Sequence, residues 1–435
     1  MKKIQYYIRT FRRFAKLYGF FQTFVYGLFR LFPAWFSIVI SRLNITEGSH
    51  SLVADIDYRP GMDSVLHHNT WIEYGGRAKP VAAKDSRPCY IWFVPDWENV
   101  WGGGHYTLFR FAQFMGETRK ARQIIFIYKN QRHDTPDSLQ ESLNGAFKNC
   151  KMEVMIDPAK LPACDAAFAT TWQSAYWARA FPFALKKFYF MQDYESLFYP
   201  HGTASMQANV TYEFGFAGIT GGNWLKSKYL SHGGSAQNYL FAADKDIFYP
   251  AEKDVAVRPR VLRLFFYGRP STERRCFELG MVALSLIAAE FPDVEIVIAG
   301  LKLSNPPPFK ATLLGNMALR DTGDLYRTCD IGMAFSGTNL SYLPVELMAC
   351  GVPVITNRGP HTEWHCKHEE NAYLVDPVPE DVVAGFRQLF HDVELRQKLA
   401  RGGVETMRPL SWESEMEKIA CYVGDNLQTA STTAA

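Results

Sequence analysis

The stretch "LPVELMACGVPVITN", residues 343–357, places one carboxylate inside an apolar segment. Pro344 predicts the first position of a short helix and Gly351 its carboxyl cap. A glutamate in the first turn is favoured by the helix dipole even without a function. A carboxylate there can also accept hydrogen bonds from ribose hydroxyls. We expect Glu346 to bind a nucleotide, with the dipole as the structural alternative.

A cluster of arginines in "FYGRPSTERR", residues 266–275, could bind an anion. Arg269 directly follows a predicted buried strand, and Arg274 and Arg275 are expected at the start of a helix. Guanidinium groups beside helix N–H groups can hold a diphosphate without a metal. They can also stabilise negative charge that develops on a leaving group, so Arg269 is a catalytic candidate. The alternative is a solvated basic turn.

The segment "QDYES", residues 192–196, also follows a predicted strand. Asp193 and Glu195 could form an acid/base pair, and Asp193 is our second catalytic candidate. Two alternatives remain for this triplet: structural capping by Asp193, or a metal-binding D-x-E.

The loop "WGGGHYTLF", residues 101–109, lies between a predicted strand and a helix. Gly103 and Gly104 would let the backbone approach a ligand, and a helix N-terminus attracts anions. A tight turn without a ligand is the alternative.

The segment "HTEWHCKH", residues 361–368, has the ligand types of a zinc site. The ligands are cramped and no second distant pair accompanies them, so we expect a polar loop that lines a cleft. We expect no metal and no cofactor.

The elements that must position these residues alternate between strands and helices. Strands are predicted at 89–97, 122–128, 152–156, 166–170, 186–193 and 212–220, and the alternation restarts with a strand at 261–268. This pattern predicts an α/β protein with two wound parallel sheets, whose carboxyl ends would line a shared cleft. The proposed division is an extension (1–50), a first Rossmann-like domain (51–245), a second (246–410), and a final helix with a disordered tail (411–435).

Composition excludes some function classes. The chain has 435 residues, 47% of them hydrophobic and 21% charged, and a net charge of +3, which gives no indication of nucleic-acid binding. Its eight cysteines contain no C-x-x-C pair, which favours reduced thiols in a cytosolic protein.

The first 44 residues are basic and aromatic and contain no acid. At helical spacing, Ile4, Tyr7, Phe11, Phe14 and Tyr18 share one face and Arg9, Arg12, Arg13 and Lys16 the other. An amphipathic helix of this kind suits an anionic membrane surface. Packing against the body of the protein is the alternative, and a full membrane span is disfavoured by Gln22, Arg30 and Pro33.

Several of these segments resemble one enzyme family. "LPVELMACGVPVITNRGPHTE" resembles the donor-site segment of retaining nucleotide-sugar glycosyltransferases of family 4, which have the GT-B fold of two Rossmann-like domains. "YGRPSTERR" resembles their G-R-x-x-x-x-K-G turn, with Arg274 at the lysine position and Arg275 at the glycine position. "GGGHYTLFRFAQFM" resembles their glycine loop.

A narrower likeness is to rhamnosyltransferases of bacterial surface glycans, of the S-layer type. It is carried by "ATTWQSAYWA" (169–178), "FMQDYESLFY" (190–199), "LLGNMALRDTGDLYRTCDIG" (313–332) and "NLSYLPVELM" (339–348). The combined resemblance covers roughly residues 89–410.

The resemblance implies this nucleotide-sugar-binding set: Gly103, Gly104, Arg269, Arg274, Gly315, Asn316, Tyr342 and Glu346. Glu346 would bind the ribose, and Arg269 and Arg274 the diphosphate. Tyr342 would touch the phosphates or the sugar, and Gly315–Asn316 would lie near the base. One departure concerns Thr338, which stands where the family often has a second glutamate beside the donor sugar.

We therefore expect a metal-independent, retaining glycosyltransferase that moves L-rhamnose from dTDP-L-rhamnose to a growing cell-surface glycan or lipid-linked glycan. Its expected place is the cytoplasmic face of the membrane. The rival interpretations are a sugar phosphorylase or epimerase of similar fold, and a non-catalytic carbohydrate-binding or scaffold protein with a decayed site.

Overall fold

The structure is a computed structural model that describes residues 86–128, 130, 132–251, 261–301, 303 and 306–434. The predicted extension, residues 1–50, lies outside the described residues, as does the start of the first predicted domain. Below, residues 86–251 are called the first half, and residues 261–411 the second half.

The first half is built on a parallel sheet of seven strands in the order β3-β2-β1-β4-β5-β6-β7. The strands are β1 Cys89–Val94, β2 Arg122–Ile127, β3 Met152–Met155, β4 Cys164–Ala169, β5 Ala184–Met191, β6 Ala217–Gly221 and β7 Ser235–Tyr239. All six residues of β1 are buried, and the strand pairs with β2 and β4. Continuous apolar strands of this kind need cover on both faces, which helices supply.

The second half has a parallel sheet of six strands in the order β10-β9-β8-β11-β12-β13. The strands are β8 Arg263–Tyr267, β9 Glu295–Ala299, β10 Thr312–Gly315, β11 Ile331–Met333, β12 Val354–Asn357 and β13 Tyr373–Val375. The predicted α/β class with two parallel sheets is confirmed.

The helices connect successive strands, except at the carboxyl end of the chain. They are α1 Gly103–Thr118, α2 Asp137–Ala146, α3 Trp172–Ala180, α4 Thr203–Val210, α5 Asn223–Ser231, α6 Phe277–Glu290, α7 Leu319–Arg327, α8 Tyr342–Ala349, α9 Pro360–Glu363, α10 Pro379–His391, α11 Val393–Met407 and α12 Trp412–Ala434. Of the helices in the described ranges, none has both the length and the apolar character needed to cross a membrane.

The last helix returns to the first half. Helix α12 contacts β5, β7 and α1, and it buries Trp412, Ile419 and Val423. The carboxylate of Glu415 accepts a hydrogen bond from the backbone N–H of Leu240 at 2.8 Å. The two halves are therefore connected twice, by the segment after β7 and by the start of α12.

Helix α8 differs from its prediction at one end. It begins at Tyr342 after the N-cap Ser341, so Pro344 is the third helical residue instead of the first. Gly351 follows the helix with φ of +70°, as the predicted cap requires. Glu346 is therefore the fifth helical residue, beyond the first turn in which the dipole acts most strongly.

The predicted disordered tail is wrong, because α12 continues to Ala434. Hydroxyls near the end bond back to carbonyls one turn earlier: Thr429 to Asp425 and Ser431 to Leu427, both at 3.0 Å. Such bonds satisfy the hydroxyl groups of serine and threonine inside a helix. Arg274 and Arg275 are also displaced from their predicted place, since they lie in a 3₁₀ turn before α6 and not in the helix itself.

Candidate active site

The carboxyl ends of strands from the two sheets meet around Asp193. Asp193 lies two residues after the end of β5, and the loop Ser336–Asn339 follows β11 of the second half. Ligands of open α/β sheets bind at such strand ends, so this meeting place is the candidate active site.

The Asp193 carboxylate is buried and is bound mostly by the second half. Oδ2 accepts from Thr338 Oγ1 at 2.9 Å, and Oδ1 accepts from the Asn339 N–H at 2.9 Å. Arg274 Nε lies 3.3 Å from Oδ2, and Arg275 Nη2 lies 3.9 Å from it. The neighbouring Tyr194 N–H also donates to Oδ1 at 2.9 Å. These donors and arginines hold the carboxylate in place against the second half.

Two arginines lie against this carboxylate, and a third, Arg269, is near enough to Arg275 to repel it. The Arg274 guanidinium lies 3.9 Å from the centre of the Phe198 ring in the first half. Arg275 donates to Ser336 Oγ at 2.6 Å and to the Asn339 carbonyl at 3.1 Å. Burial lowers the pKa of Arg275 to about 10, although Asp193 opposes that shift; Arg274 and Arg269 add to it by repulsion. Arg269 is exposed, and its side chain has no hydrogen bond or ion pair within the described ranges.

Asn339 connects the second half to two strand ends of the first half. Its Nδ2 donates to the carbonyls of Gln192 at 3.0 Å and Gly221 at 2.7 Å. Asn339 Oδ1 and Gln192 Oε1 are buried and have no hydrogen-bond partner among the described residues. Unpaired buried acceptors are costly, and these two oxygens have unused capacity to accept hydrogen bonds.

Glu346 lies on the second half where the chain crosses between halves. Its nearest hydrogen-bond donor is the Tyr326 hydroxyl, which lies 3.4 Å from Oε2. Burial raises the pKa of Glu346 to about 7, and the negative charge of Asp244 adds to the rise, whereas Tyr326 and Arg110 oppose it. Asp244 is itself held by Arg110 through two bonds of 2.9 Å. Among the described residues, Glu346 has one weak hydrogen-bond partner and can accept further hydrogen bonds.

The glycine loop of the first half approaches the start of α8. A Cβ atom added to Gly103 would lie 3.6 Å from the Tyr342 ring, and one added to Gly104 would lie 3.6 Å from Gln192 Nε2. These are ordinary contacts, so packing does not require either glycine. The Tyr342 ring contacts Phe241, with ring centres 4.5 Å apart. It therefore lies beside the crossing segment as well as beside the glycine loop.

Gly315 and Asn316 lie at the carboxyl end of β10, at the edge of the second sheet. Gly315 has φ of +67°, and its carbonyl accepts from the Gly300 N–H at 2.8 Å. Asn316 is exposed. Like Arg269, which follows the inner strand β8, they lie at the carboxyl ends of the strands. Among the described residues, neither contacts Glu346 or Asp193.

The remaining chemical candidates point elsewhere. Glu195 accepts from the Trp172 N–H at the start of α3, and burial raises its pKa to about 8. Among the described residues, its carboxylate is bonded to the Trp172 N–H and not to Asp193, so the two carboxyl groups do not form a hydrogen-bonded pair.

The histidine-rich loop is divided between two environments. His361 lies at the site, with Nε2 2.8 Å from the Ser336 carbonyl. His365 is buried, and burial lowers its pKa to about 4. Within the described part of the chain, no three His, Cys, Asp or Glu side chains are grouped as a metal site.

Sequence comparison identifies related proteins. Residues 262–387 match the family described as WsaF, C-terminal domain. The O-antigen biosynthesis protein RfbC of Myxococcus xanthus is 38% identical over 340 residues, which are 75% of this chain and 26% of RfbC. The chain therefore spans about a quarter of the length of this relative.

Several solved structures share this architecture, and one of them is a named glycosyltransferase. Sucrose-phosphate synthase of Thermosynechococcus elongatus superposes with a TM-score of 0.61 at 14% identity, over 79% of this chain and 100% of that one. WaaG, a glycosyltransferase involved in lipopolysaccharide biosynthesis, superposes with a TM-score of 0.55 at 11% identity, over 77% of this chain and 99% of WaaG. HepE of Anabaena, solved with UDP and glucose, superposes with a TM-score of 0.57 at 14% identity, over 79% of this chain and 100% of HepE. The chain has the GT-B fold.

Within this GT-B cleft, the structure brings together some predicted site residues and adds others. Asp193 and Arg274 are in direct contact, and Gly103 lies beside Tyr342. The predicted catalytic and nucleotide-sugar-binding sets did not include Arg275, Thr338, Asn339 or His361. The sequence does distinguish Arg275, because this residue stands at the glycine position of the family turn. It distinguishes Thr338 as well, because this residue replaces a glutamate; the sequence does not show that Asp193 approaches it.

Proposed function

We propose that this protein is a glycosyltransferase that moves a sugar from a nucleoside diphosphate to a growing bacterial surface glycan. The observation that carries the proposal is the cluster of Arg269, Arg274 and Arg275 at the facing strand ends, with the hydrogen-bond acceptor Glu346 on α8. A nucleoside diphosphate needs cationic groups for its phosphates and an acceptor for its ribose hydroxyls.

The relatives support the same substrate class. RfbC is named for O-antigen biosynthesis, and HepE was solved with UDP and with UDP-glucose. We favour dTDP-L-rhamnose as the donor, on the resemblance of the motifs around Asp193 and Glu346 to rhamnosyltransferases. The acceptor would be a glycan or a lipid-linked glycan.

The chemistry follows from the leaving group. When the glycosidic bond to the nucleoside diphosphate breaks, negative charge develops on the terminal phosphate. Arg269 and Arg274 would stabilise this charge, which is the main catalytic demand of the reaction. These guanidiniums can supply the positive charge without a divalent ion, so we propose metal-independent transfer. Retention of configuration is proposed only from the resemblance to the retaining family.

The proposed place of action is the cytoplasmic face of the membrane, where a basic aromatic extension would hold the enzyme near its acceptor. This part rests on the composition of residues 1–44, which contain no acid.

A panel of donors tests the proposal. Thermal unfolding is measured with UDP, dTDP, GDP and ADP and with their sugars, because a ligand that binds only the folded protein raises its apparent stability. Donors that bind are then incubated with lipid extract and with or without EDTA. We expect a dTDP-sugar to give the largest shift, and sugar transfer to survive EDTA.

Different outcomes separate the alternatives. A non-catalytic binding protein would bind a sugar nucleotide but neither transfer nor hydrolyse it. Loss of transfer in EDTA that manganese or magnesium restores would contradict metal independence. Absence of any nucleotide-induced shift would reject the proposed function itself.

A further inference from the structure

Asp193 differs from the other described carboxylates at the cleft in where its donors come from. Four of the five groups that hold it belong to the second half: Thr338, Asn339, Arg274 and Arg275. The fifth is the adjacent Tyr194 N–H. The chain separation between Asp193 and Asn339 is 146 residues, so this binding depends on the relative position of the halves.

The second half does not provide, in the Ser336–Asn339 loop, a negative charge for Arg274 and Arg275. Its loop, Ser336 to Asn339, contains no acidic residue, although Arg274 and Arg275 both lie against it. The backbone of the loop is also fixed to the arginine turn, because the Gly337 N–H donates to the Arg274 carbonyl at 2.8 Å. A buried guanidinium such as Arg275 is costly without a nearby negative charge.

Asp193 in turn needs the second half. The residue is 7% exposed, and Thr338 is 2% exposed. Opening the cleft would separate Asp193 from most of its donors and leave both arginines without their counter-charge. The contact therefore favours the state in which the two halves are closed.

We propose that Asp193 is a positioning residue: from the first half it closes the cleft and orients Arg274 and the Ser336–Asn339 loop for the donor diphosphate. The role in donor binding rests on the proposed function, whereas the role in closure does not. The contact of Asp193 with Thr338 supplies, from the other half of the protein, the carboxylate that this loop lacks.

Moving the carboxylate across the contact tests the proposal. Asp193→Asn removes the charge with little change in shape. In the double variant, Asp193→Asn with Thr338→Asp, the charge returns on the other side of a 2.9 Å contact. Thr338→Asp alone places two carboxylates against each other and should repel the halves. Thr338→Val removes one donor only.

The control is Asp165→Asn. Asp165 accepts the Cys89 N–H at 2.7 Å, within the first half and at the amino end of the strands. It makes the same chemical change as Asp193→Asn without touching the cleft. Each variant is first checked for a cooperative thermal transition.

Two measurements are made on the full chain. Small-angle X-ray scattering without ligand reports whether the halves are closed, and calorimetry with UDP and dTDP reports donor-site affinity. We expect Asp193→Asn and Thr338→Asp to increase the radius of gyration and to lower nucleotide affinity about tenfold to hundredfold. The double variant should recover part of the compactness and part of the nucleotide affinity. Thr338→Val should lower the affinity less than Asp193→Asn does, and Asp165→Asn should match the wild type in both quantities.

The two proposals fail in distinguishable ways. If the wild type binds no nucleotide, the proposed function fails, and scattering alone still decides the role of Asp193 in closure. If Asp193→Asn is folded and matches the wild type in both scattering and affinity, the positioning role is wrong. A folded double variant that recovers neither property, while Thr338→Val also has no effect, contradicts the charge contact as the cause.

Discussion

Ionisation of Glu346 is expected to lower the stability of the folded protein, although the ionised carboxylate is the form that binds ribose hydroxyls best. Burial raises the pKa of this carboxyl to about 7 from an ordinary value of 4.5. The folded state therefore keeps a proton that the unfolded chain loses. The resulting stabilisation is complete below about pH 4.5 and is lost as the pH rises through about 7. At pH 8 the ionised side chain should weaken the folded protein.

We predict that Glu346→Gln is more stable than the wild type at pH 8 and has a flatter dependence of melting temperature on pH between 4.5 and 7. The same change should weaken nucleotide binding about tenfold to hundredfold, because it replaces a charge-assisted acceptor of ribose hydroxyls. Scanning calorimetry gives the first quantity, and titration calorimetry with UDP and dTDP gives the second.

The helix dipole makes the opposite prediction for stability. If Glu346 only complemented the dipole, its replacement would destabilise the protein slightly and leave nucleotide affinity unchanged. That explanation is weakened by the position of Glu346 as the fifth residue of α8. Unchanged nucleotide affinity in a folded Glu346→Gln protein would contradict the ribose role.

Replacing Arg269 and replacing Arg274 should have different effects on the stability of the ligand-free protein. Arg269 is exposed, so Arg269→Ala should leave the melting temperature nearly unchanged and weaken diphosphates but hardly free nucleosides. Arg274 touches Asp193 and Phe198, so Arg274→Ala should also lower stability. Equal affinity of Arg269→Ala and wild type for UDP and dTDP would exclude Arg269 from the phosphate site.

At the scale of elements, the glycine loop before α1 offers a test of function without a packing cost. Gly104→Ala adds a methyl group that meets Gln192 at only 3.6 Å. Alanine also restricts the unfolded chain. We therefore predict that the free energy of unfolding is unchanged or rises by up to about 1 kcal/mol, and that the melting temperature is unchanged or slightly higher. Transfer activity should fall if a ligand approaches this backbone. Wild-type activity would show that the glycine is only a turn residue.

The elements differ in how far the sequence determines them. Apolar runs such as β1 and β8 were predicted because both faces of a central strand must be buried. The edge strands β7 and β10 were missed, since their residues are partly or largely exposed and lack an apolar pattern. The end of α8 just before Gly351 was predictable from the glycine, but its start at Tyr342 was not, because proline is tolerated throughout the first turn of a helix.

For the whole molecule, the sequence predicted which residues end strands but not which of them meet. Asp193 was identified as a candidate because it follows a buried strand, and Arg274 because it was expected beside a helix start and matches the lysine of the family turn. Their contact depends on the closure of two sheets from separate halves, which no local pattern encodes. The same is true of α12, whose return to the first half is fixed by burial of Trp412 and Ile419.

The last prediction concerns attachment of the whole protein to a membrane. Residues 1–44 contain no acid, and Arg9, Arg12, Arg13 and Lys16 share one predicted helical face. Each such cation contributes about 1 kcal/mol to binding of an anionic surface. We predict that the full chain floats with vesicles containing phosphatidylglycerol, that neutral phosphatidylcholine vesicles retain much less of it, and that salt releases it. Replacing the four cations by glutamine should abolish flotation and leave transfer to a soluble acceptor unchanged. A matched variant with four glutamines at Arg387, Arg396, Lys398 and Arg401, which lie on α10 and α11, controls for the loss of net charge. If both variants float like the wild type, the basic face does not bind the membrane.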